Sequence, residues 1–165
     1  MIKINFDTLE KFGKEWQERL VQVFEYGLLL LGQKEKFEIN LSFVEDEEIK
    51  RLNSDYRQVD KKTDVLSFPA YDFVIGETVD CTLGEYVLNV NPETGRFMLG
   101  DIVICPEVAL LQAEEFEHSF EQEVMRLAVH SFLHCFGYDH IDDADYEVMK
   151  KMEEEIIANF DYLTE

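Results

Sequence analysis

The chain has 165 residues, 46% of them hydrophobic, which predicts one globular domain over residues 1–165 with a sizeable core. Its 36 acidic and 15 basic side chains give a formal net charge of −21, which argues against broad, nonspecific binding to nucleic acid. The longest apolar run, residues 28–31, is too short to cross a bilayer, and the N-terminus lacks a secretory hydrophobic segment. We therefore expect a cytoplasmic protein that binds no membrane and keeps its three cysteines reduced.

The first half of the chain alternates between helical and strand patterns. Asp7, with Glu10 three residues later, predicts a helix start, and apolar residues then recur at helical spacing. The patterns predict, in chain order, a helix at 8–31, a strand at 37–43, a short helix at 45–53, a polar turn at 53–60 and a strand at 63–68.

The second half ends in three helices. Ser119 and Gln122 have the spacing of a capping box, so they predict the start of a helix that is apolar on nearly every side and therefore buried. The patterns predict an exposed hairpin within 71–98 (strand 83–90, turn 91–95, strand 96–99), a buried strand at 101–105, and helices at 106–117, at 119–136 and from Asp142 onward. This order predicts an α+β fold, in which a small mixed four-stranded sheet packs with about five helices and the histidine-bearing helix is buried against the sheet.

Three of the four histidines lie within eleven residues. His130 and His134 are one helical turn apart, and Gly137 provides a residue that can end the helix and turn the chain back toward His140. Three imidazoles that converge in this way leave one open position on a tetrahedral zinc ion, the arrangement of a catalytic site. Three unrelated histidines would be the alternative, and this spacing argues against it.

The same spacing also occurs in zinc proteases of the pattern H-E-x-x-H-x-x-G-x-x-H. Ser131 takes the place of their glutamate here, and a serine cannot act as a carboxylate general base. The motif therefore predicts one metal ion and argues against peptide hydrolysis.

Positive charge is concentrated at residues 50–62. Five basic and two acidic side chains give this segment a net charge of +3, so the rest of the chain carries −24. The segment is either a solvated helix face or the place where a phosphate backbone binds.

Four motifs in this order resemble the YbeY family of bacterial metal-dependent endoribonucleases, which act in ribosomal RNA maturation. They are N-x-x-Y-R-x-x-D at 53–60, T-D-V-L-S-F-P at 63–69, L-G-D-I-V-I at 99–104 and H-S-F-L-H-C-F-G-Y-D-H at 130–140. Two residues depart from the family pattern, since Ser131 replaces a glycine and Cys135 replaces a leucine. Segment 71–98 is also longer than expected for the family.

The resemblance implies that His130, His134 and His140 bind one Zn²⁺, and that Arg57 acts on the scissile phosphate. His130 and Arg57 are thus the expected catalytic residues. Asp139 is either a hydrogen-bond partner of a ligating imidazole or an exposed turn residue.

Further substrate contacts are expected beside Arg57. Lys61 and Lys62 are candidates for contact with backbone phosphates, and Thr63 and Ser67 lie on a strand face that can line a cleft. The small basic segment favours single-stranded over double-stranded RNA, and the family points the same way.

The sequence therefore predicts a zinc-dependent, single-strand-specific endoribonuclease that acts on precursor ribosomal RNA, with the small ribosomal subunit and its proteins as partners. Two alternatives remain. One is a noncatalytic ribosome-assembly factor in which zinc only holds the last helices together, and the other is a metalloprotease-like hydrolase.

Overall fold

A four-stranded mixed sheet forms the centre of the fold. The computed structural model describes residues 1–7 and 12–164, with side chains as far as residue 161. The strands are β1 (Ile2–Asp7), β2 (Phe37–Phe43), β3 (Val65–Pro69) and β4 (Phe97–Ile104). Their order across the sheet is β1-β2-β4-β3, with β1 and β4 parallel to β2 and β3 antiparallel to β4. Strand β3 is therefore one edge of the sheet.

Five α-helices and one 3₁₀ helix accompany these strands in the described part of the chain. They are α1 (Lys14–Leu30), α2 (Asp46–Arg57), the 3₁₀ helix (Gly84–Asn89), α3 (Pro106–Glu115), α4 (Phe120–Cys135) and α5 (Asp143–Thr164). The predicted α+β class, the four-stranded mixed sheet and the burial of the histidine-bearing helix α4 are confirmed. None of the helices described here is long and apolar enough to cross a membrane.

Alternation along the central strands explains how the sheet buries one face. Ile39 and Leu41 of β2 and Ile102 and Ile104 of β4 are at most 1% exposed, and they face the layer of α1, α4 and α5. Helix α4 lies in the middle of this layer because it is apolar nearly all round. This packing fixes the position of α4 against β3 and β4.

A smaller apolar cluster lies on the opposite face of the sheet. Ile49 of α2 packs there with Leu66, Val103 and Cys105. Since Leu66 faces α2, the alternation of β3 turns Val65 and Ser67 toward α4. Strand β3 thus lies between α2 and α4, next to the C-terminal end of α2.

The predicted start of the first helix is wrong. Asp7 ends strand β1, and α1 begins at Lys14. Glu10, the second residue of the predicted cap, lies outside the described residues. Strand β1 was not predicted, although Ile2 and Ile4 alternate with polar residues. A six-residue strand is stable only when it is paired, and here β2 provides the pairing, which the local pattern does not reveal.

Two other predicted boundaries are wrong. The turn predicted at 53–60 is partly helical, because α2 continues to Arg57 and ends at Gln58, whose φ is +57°. The predicted strand 83–90 contains the 3₁₀ helix instead, and only an antiparallel bridge between Val90 and Phe97 remains of the hairpin. The turn at 91–95 is confirmed by a hydrogen bond of 2.8 Å from the Asn91 N–H to the carbonyl oxygen of residue 96. Apolar residues in 83–90 gave a strand pattern, but none of the residues in the 3₁₀ helix is buried, so the pattern did not mark a core strand.

Candidate active site

Helix α4 places two imidazoles side by side. The predicted capping box is present, because the Ser119 Oγ accepts from the Gln122 N–H at 3.1 Å and the Gln122 side chain accepts from the Ser119 N–H at 3.0 Å. This cap sets the first turn, so His130 and His134 project from the same face one turn apart. Their Nε2 atoms are 3.0 Å apart.

The turn after α4 brings in the third imidazole. Gly137 has a φ of +91°, and a Cβ at this position would lie 2.4 Å from the carbonyl oxygen of Phe73. Only glycine fits both the conformation and the close contact. The chain then reverses, and His130, His134 and His140 each offer a ligand atom within 4.8 Å of the others. The convergence expected from their spacing is thus present, and segment 71–98 supports it through Phe73.

The outer nitrogens of two of these imidazoles are already hydrogen bonded. His134 Nδ1 lies 2.8 Å from the carbonyl oxygen of Tyr138, and His130 Nδ1 contacts the carboxylate of Glu153 on α5. A carbonyl and a carboxylate only accept, so both Nδ1 atoms carry the proton. In the neutral form of each ring, Nε2 then presents a lone pair to the same point.

The donor set fits a metal ion. Tetrahedral nitrogen ligands at about 2.0–2.1 Å from zinc lie about 3.3 Å apart, close to the 3.0 Å between the two Nε2 atoms. Burial lowers the pKa of His134, which favours the neutral ring that binds metal. Two facing lone pairs repel each other unless a cation lies near both.

Sequence analysis missed Glu153. It lies in a helix with many glutamates, where no local pattern distinguishes one from the next. Asp139, the residue considered for such a contact, instead accepts from the backbone N–H of His140 at 2.8 Å. Its carboxylate lies 3.8 Å from His140 Nδ1, and both side chains are 52% exposed.

The three histidines line a cleft of about 750 Å³. Arg57, Ser67 and Asp139 also line it, whereas Lys61, Lys62 and Thr63 lie outside its lining. The charged lining consists of two arginines and three aspartates: Arg57, Arg126, Asp64, Asp72 and Asp139. With neutral histidines this lining is net negative, so a bound cation improves its fit to a phosphate.

Arg57 reaches the cleft from the far side of β3. Its Nη2 donates to the carbonyl oxygen of Ser67 at 2.6 Å, and its guanidinium lies 5.5 Å from the ring centre of Phe68. The side chain is therefore held at the sheet edge and does not pair with Asp60, which lies 4.0 Å from Lys50.

Most of the basic segment 50–62 is neutralised locally. Arg51 pairs with Glu48 at 2.6 Å and with Asp55 at 3.0 Å. Lys62 pairs with Asp46 at 2.6 Å. The predicted phosphate contact through Lys62 would require this pair to open, so the segment offers less free positive charge than its composition suggests.

Three further residues near the histidines are paired or buried, and none of them is available as a general base. Arg126 lines the cleft but is paired with the fully buried carboxylate of Glu123. Ser131 is fully buried, and its hydroxyl has no hydrogen-bond partner in the described structure. Burial raises the pKa of Cys135 to about 12, which keeps this core thiol protonated and unsuited to bind metal. None of them supplies a protease-type general base.

Comparisons with known proteins identify the family of the chain. A family model described as Endoribonuclease YbeY matches residues 3–161. A protein named Endoribonuclease YbeY from Clostridium tetani (strain Massachusetts / E88) is 41% identical over 151 residues, which cover 91% of this chain and 90% of that protein. Its namesake from Clostridium botulinum (strain Loch Maree / Type A3) is 36% identical over 151 residues, 91% of each chain.

The fold is also similar to a solved structure. The solution structure of a protein from Thermotoga maritima has a TM-score of 0.60 and 27% sequence identity, and the match covers 97% of this chain and 89% of that one. Because the family model and the relatives cover nearly the whole chain, the protein belongs to the YbeY family of endoribonucleases.

Proposed function

We propose that the protein is a zinc-dependent endoribonuclease that cuts single-stranded RNA in the cytoplasm during ribosomal RNA processing. The observation that carries this proposal is the convergence of three imidazoles in a cleft that also holds an arginine. A metal ion and a phosphate-binding cation can each stabilise the negative charge that develops when a phosphodiester is hydrolysed. Membership of the endoribonuclease family supports RNA as the substrate.

In this proposal His130, His134 and His140 hold the metal through their inward-facing nitrogens. A bound zinc ion supplies Lewis acidity and lowers the pKa of a coordinated water toward neutrality. Glu153 keeps the proton of His130 on Nδ1, and the carbonyl of Tyr138 does the same for His134. These contacts keep the lone pairs of both rings directed at the site.

Arg57 binds the scissile phosphate in this proposal. A guanidinium has five N–H donors, and one of them is used on Ser67, so four remain for phosphate oxygens. The stacking on Phe68 and the bond to Ser67 restrict the side chain before RNA binds, which lowers the entropy lost on binding. The guanidinium then offsets the negative charge that grows in the transition state.

The charge of the protein limits how RNA reaches the site. A net charge of −21 repels a polyanion at long range, and much of the basic segment is paired with carboxylates. Short single-stranded regions can enter the cleft with few phosphate contacts, whereas a duplex needs a broad basic surface. We propose that the small ribosomal subunit and its proteins present the RNA.

Two other functions fit the site less well. Peptide hydrolysis lacks its general base, because Ser131 is buried in the position of the protease glutamate. A noncatalytic assembly factor with a structural zinc needs no phosphate-binding arginine in the cleft, so the position of Arg57 favours the enzyme.

Cleavage of a labelled single-stranded ribosomal RNA fragment tests the proposal. The purified protein should cut it, and His134→Ala or a chelator should abolish cutting. His118→Ala is the matched control, because His118 is exposed and lies outside the cleft lining. Equal cutting by wild type and His134→Ala would show contamination. No cutting by the wild type, together with unfolding on chelation, would favour the assembly factor.

A further inference from the structure

The outer edge of strand β3 borders the cleft with its backbone as well as its side chains. In an antiparallel pair, alternate residues direct both N–H and C=O toward the partner strand, and the residues between direct both away from it. The Cys105 N–H donates to the Asp64 carbonyl oxygen, and the Ala70 N–H donates to the Leu99 carbonyl oxygen, each at 2.9 Å. Even-numbered residues of this segment therefore face β4, and Val65, Ser67 and Pro69 direct their backbone groups outward.

The outward-facing side of β3 has few N–H donors. The N–H of Val65 donates to the Asp64 carboxylate at 2.7 Å, and Pro69 has no N–H. The carbonyl oxygen of Ser67 accepts from Arg57 at 2.6 Å. Among the hydrogen bonds of the described chain, the outward N–H of Ser67 is the donor of this edge that remains free.

This donor lies next to the arginine. The N–H and C=O of one extended residue point to the same side, so the Arg57 group that binds the Ser67 carbonyl lies beside the Ser67 N–H. Both residues line the cleft that holds the three histidines. A backbone N–H and a guanidinium next to each other form a suitable site for one tetrahedral anion.

We propose that the main-chain N–H of Ser67 and the guanidinium of Arg57 together bind one phosphate of the RNA backbone. This inference rests on the proposed function. It differs from a contact through the Ser67 hydroxyl, because any residue except proline can supply the N–H. It also specifies where the RNA runs, along the open edge of β3.

The same edge is unsuited to a peptide strand. Strand addition needs the N–H and the C=O of an outward residue, and the Ser67 carbonyl is already occupied by Arg57. Pro69, the next outward residue, offers no donor. A phosphate only accepts hydrogen bonds, so it can use the Ser67 N–H, the donor that this edge still offers.

Replacing the backbone amide of residue 67 by an ester, which removes its N–H, tests the inference. Ser67→Ala removes the hydroxyl and keeps the N–H, so its kcat/KM for single-stranded RNA is the reference against which loss of the N–H alone is measured. The same alanine variant with the N–H of residue 67 replaced by an ester oxygen should lose about tenfold or more in kcat/KM, because a hydrogen bond to a charged group is lost. Ser67→Pro is a second variant that removes the N–H, and Pro69 shows that this edge accepts a proline.

RNA substrates in which one phosphate is replaced by a neutral methylphosphonate separate a lost phosphate contact from a general structural change, because only a lost contact alters the rate penalty at a single linkage. The wild type should be slowed most by a methylphosphonate at the linkage whose phosphate Arg57 binds, which in the proposed function is the scissile one. In the ester variant this penalty should shrink at that linkage and stay unchanged at the others. An ester variant that cuts like Ser67→Ala, or an unchanged methylphosphonate pattern, overturns the inference while leaving the nuclease intact. If the wild type cuts no RNA, the proposed function itself is overturned. If the methylphosphonate pattern is unchanged and an added peptide inhibits cutting, the edge of β3 binds a peptide and the inference is overturned.

Discussion

Replacing Glu153 by alanine should weaken zinc binding without removing a ligand. Its carboxylate contacts Nδ1 of His130, and the Glu153 side chain is only 17% exposed, so water screens the contact little. The carboxylate fixes the ring orientation and increases the electron density at the opposite nitrogen. Without it, His130 can rotate or move its proton to Nε2, the atom that faces the other histidines.

The size of the effect follows from the kind of contact. Loss of a partner of a ligating histidine lowers metal affinity by about 10- to 100-fold, or about 1.4 to 2.7 kcal/mol. Glu153→Gln retains an acceptor but loses the charge, so it should lie near the lower limit. Asp139→Asn should change the affinity by less than about threefold, because that carboxylate lies 3.8 Å from His140 Nδ1 and is 52% exposed.

Competition with a fluorescent zinc chelator measures these affinities directly. Glu154→Ala is the matched control, since it removes the same charge from the neighbouring, exposed position of α5. Thermal unfolding of the metal-free proteins separates lost metal affinity from lost stability. Equal zinc affinity in wild type and Glu153→Ala, with both proteins folded, would refute the reasoning.

The remaining predictions concern the substrate and the fold. Arg57→Lys should lose most of the nuclease activity at unchanged thermal stability, because an ammonium lacks the planar fork; activity near that of wild type would contradict this role. Replacing both Lys61 and Lys62 by glutamine should flatten the salt dependence of RNA binding, and an unchanged slope would exclude phosphate contacts by these lysines. Gly137→Ala should destabilise the protein by about 3 kcal/mol in urea unfolding and weaken zinc binding. The reason is that residue 137 has a φ of +91° and that the new Cβ would lie 2.4 Å from a backbone oxygen. A variant as stable as the wild type would contradict the assigned strain. Burial lowers the pKa of His134 below its ordinary 6.5, so the unfolded chain binds this proton at a higher pH than the folded chain does. The free energy of unfolding of the metal-free protein should therefore fall as the pH falls below 6.5. A His134→Gln variant whose free energy of unfolding has the same pH dependence would contradict this assignment.

Local patterns predicted the elements that carry the strongest signals. The capping box at Ser119 and Gln122 located the start of the ligand helix, because a cap is a contact between residues three apart. The spacing of His130 and His134 and the glycine at 137 were sufficient to predict convergence, because helix periodicity and a left-handed turn are local geometry. The apolar alternation of 37–43 was sufficient for β2 for the same reason.

Elements that depend on distant partners were missed or misassigned. Strand β1 is stable because β2 pairs with it, and the 3₁₀ helix at 84–89 lies where the local pattern favoured a strand. The charge of segment 50–62 was visible in the sequence, but its neutralisation required contacts such as Lys62 with Asp46, 16 residues away. Hydrophobic periodicity contains no information about such pairings.

The sequence by itself determined the candidate metal ligands, their spacing and the family, because these depend on residue identity and on contacts within a few positions. Tertiary structure alone decided what surrounds the ligands. Glu153 reaches His130 from a helix 23 residues away, and Arg57 reaches the cleft around the edge of β3. The Glu153 contact joins α4 with α5, and the Arg57 contact joins α2 with β3, so both depend on how separate elements pack and no periodicity along the chain could reveal them.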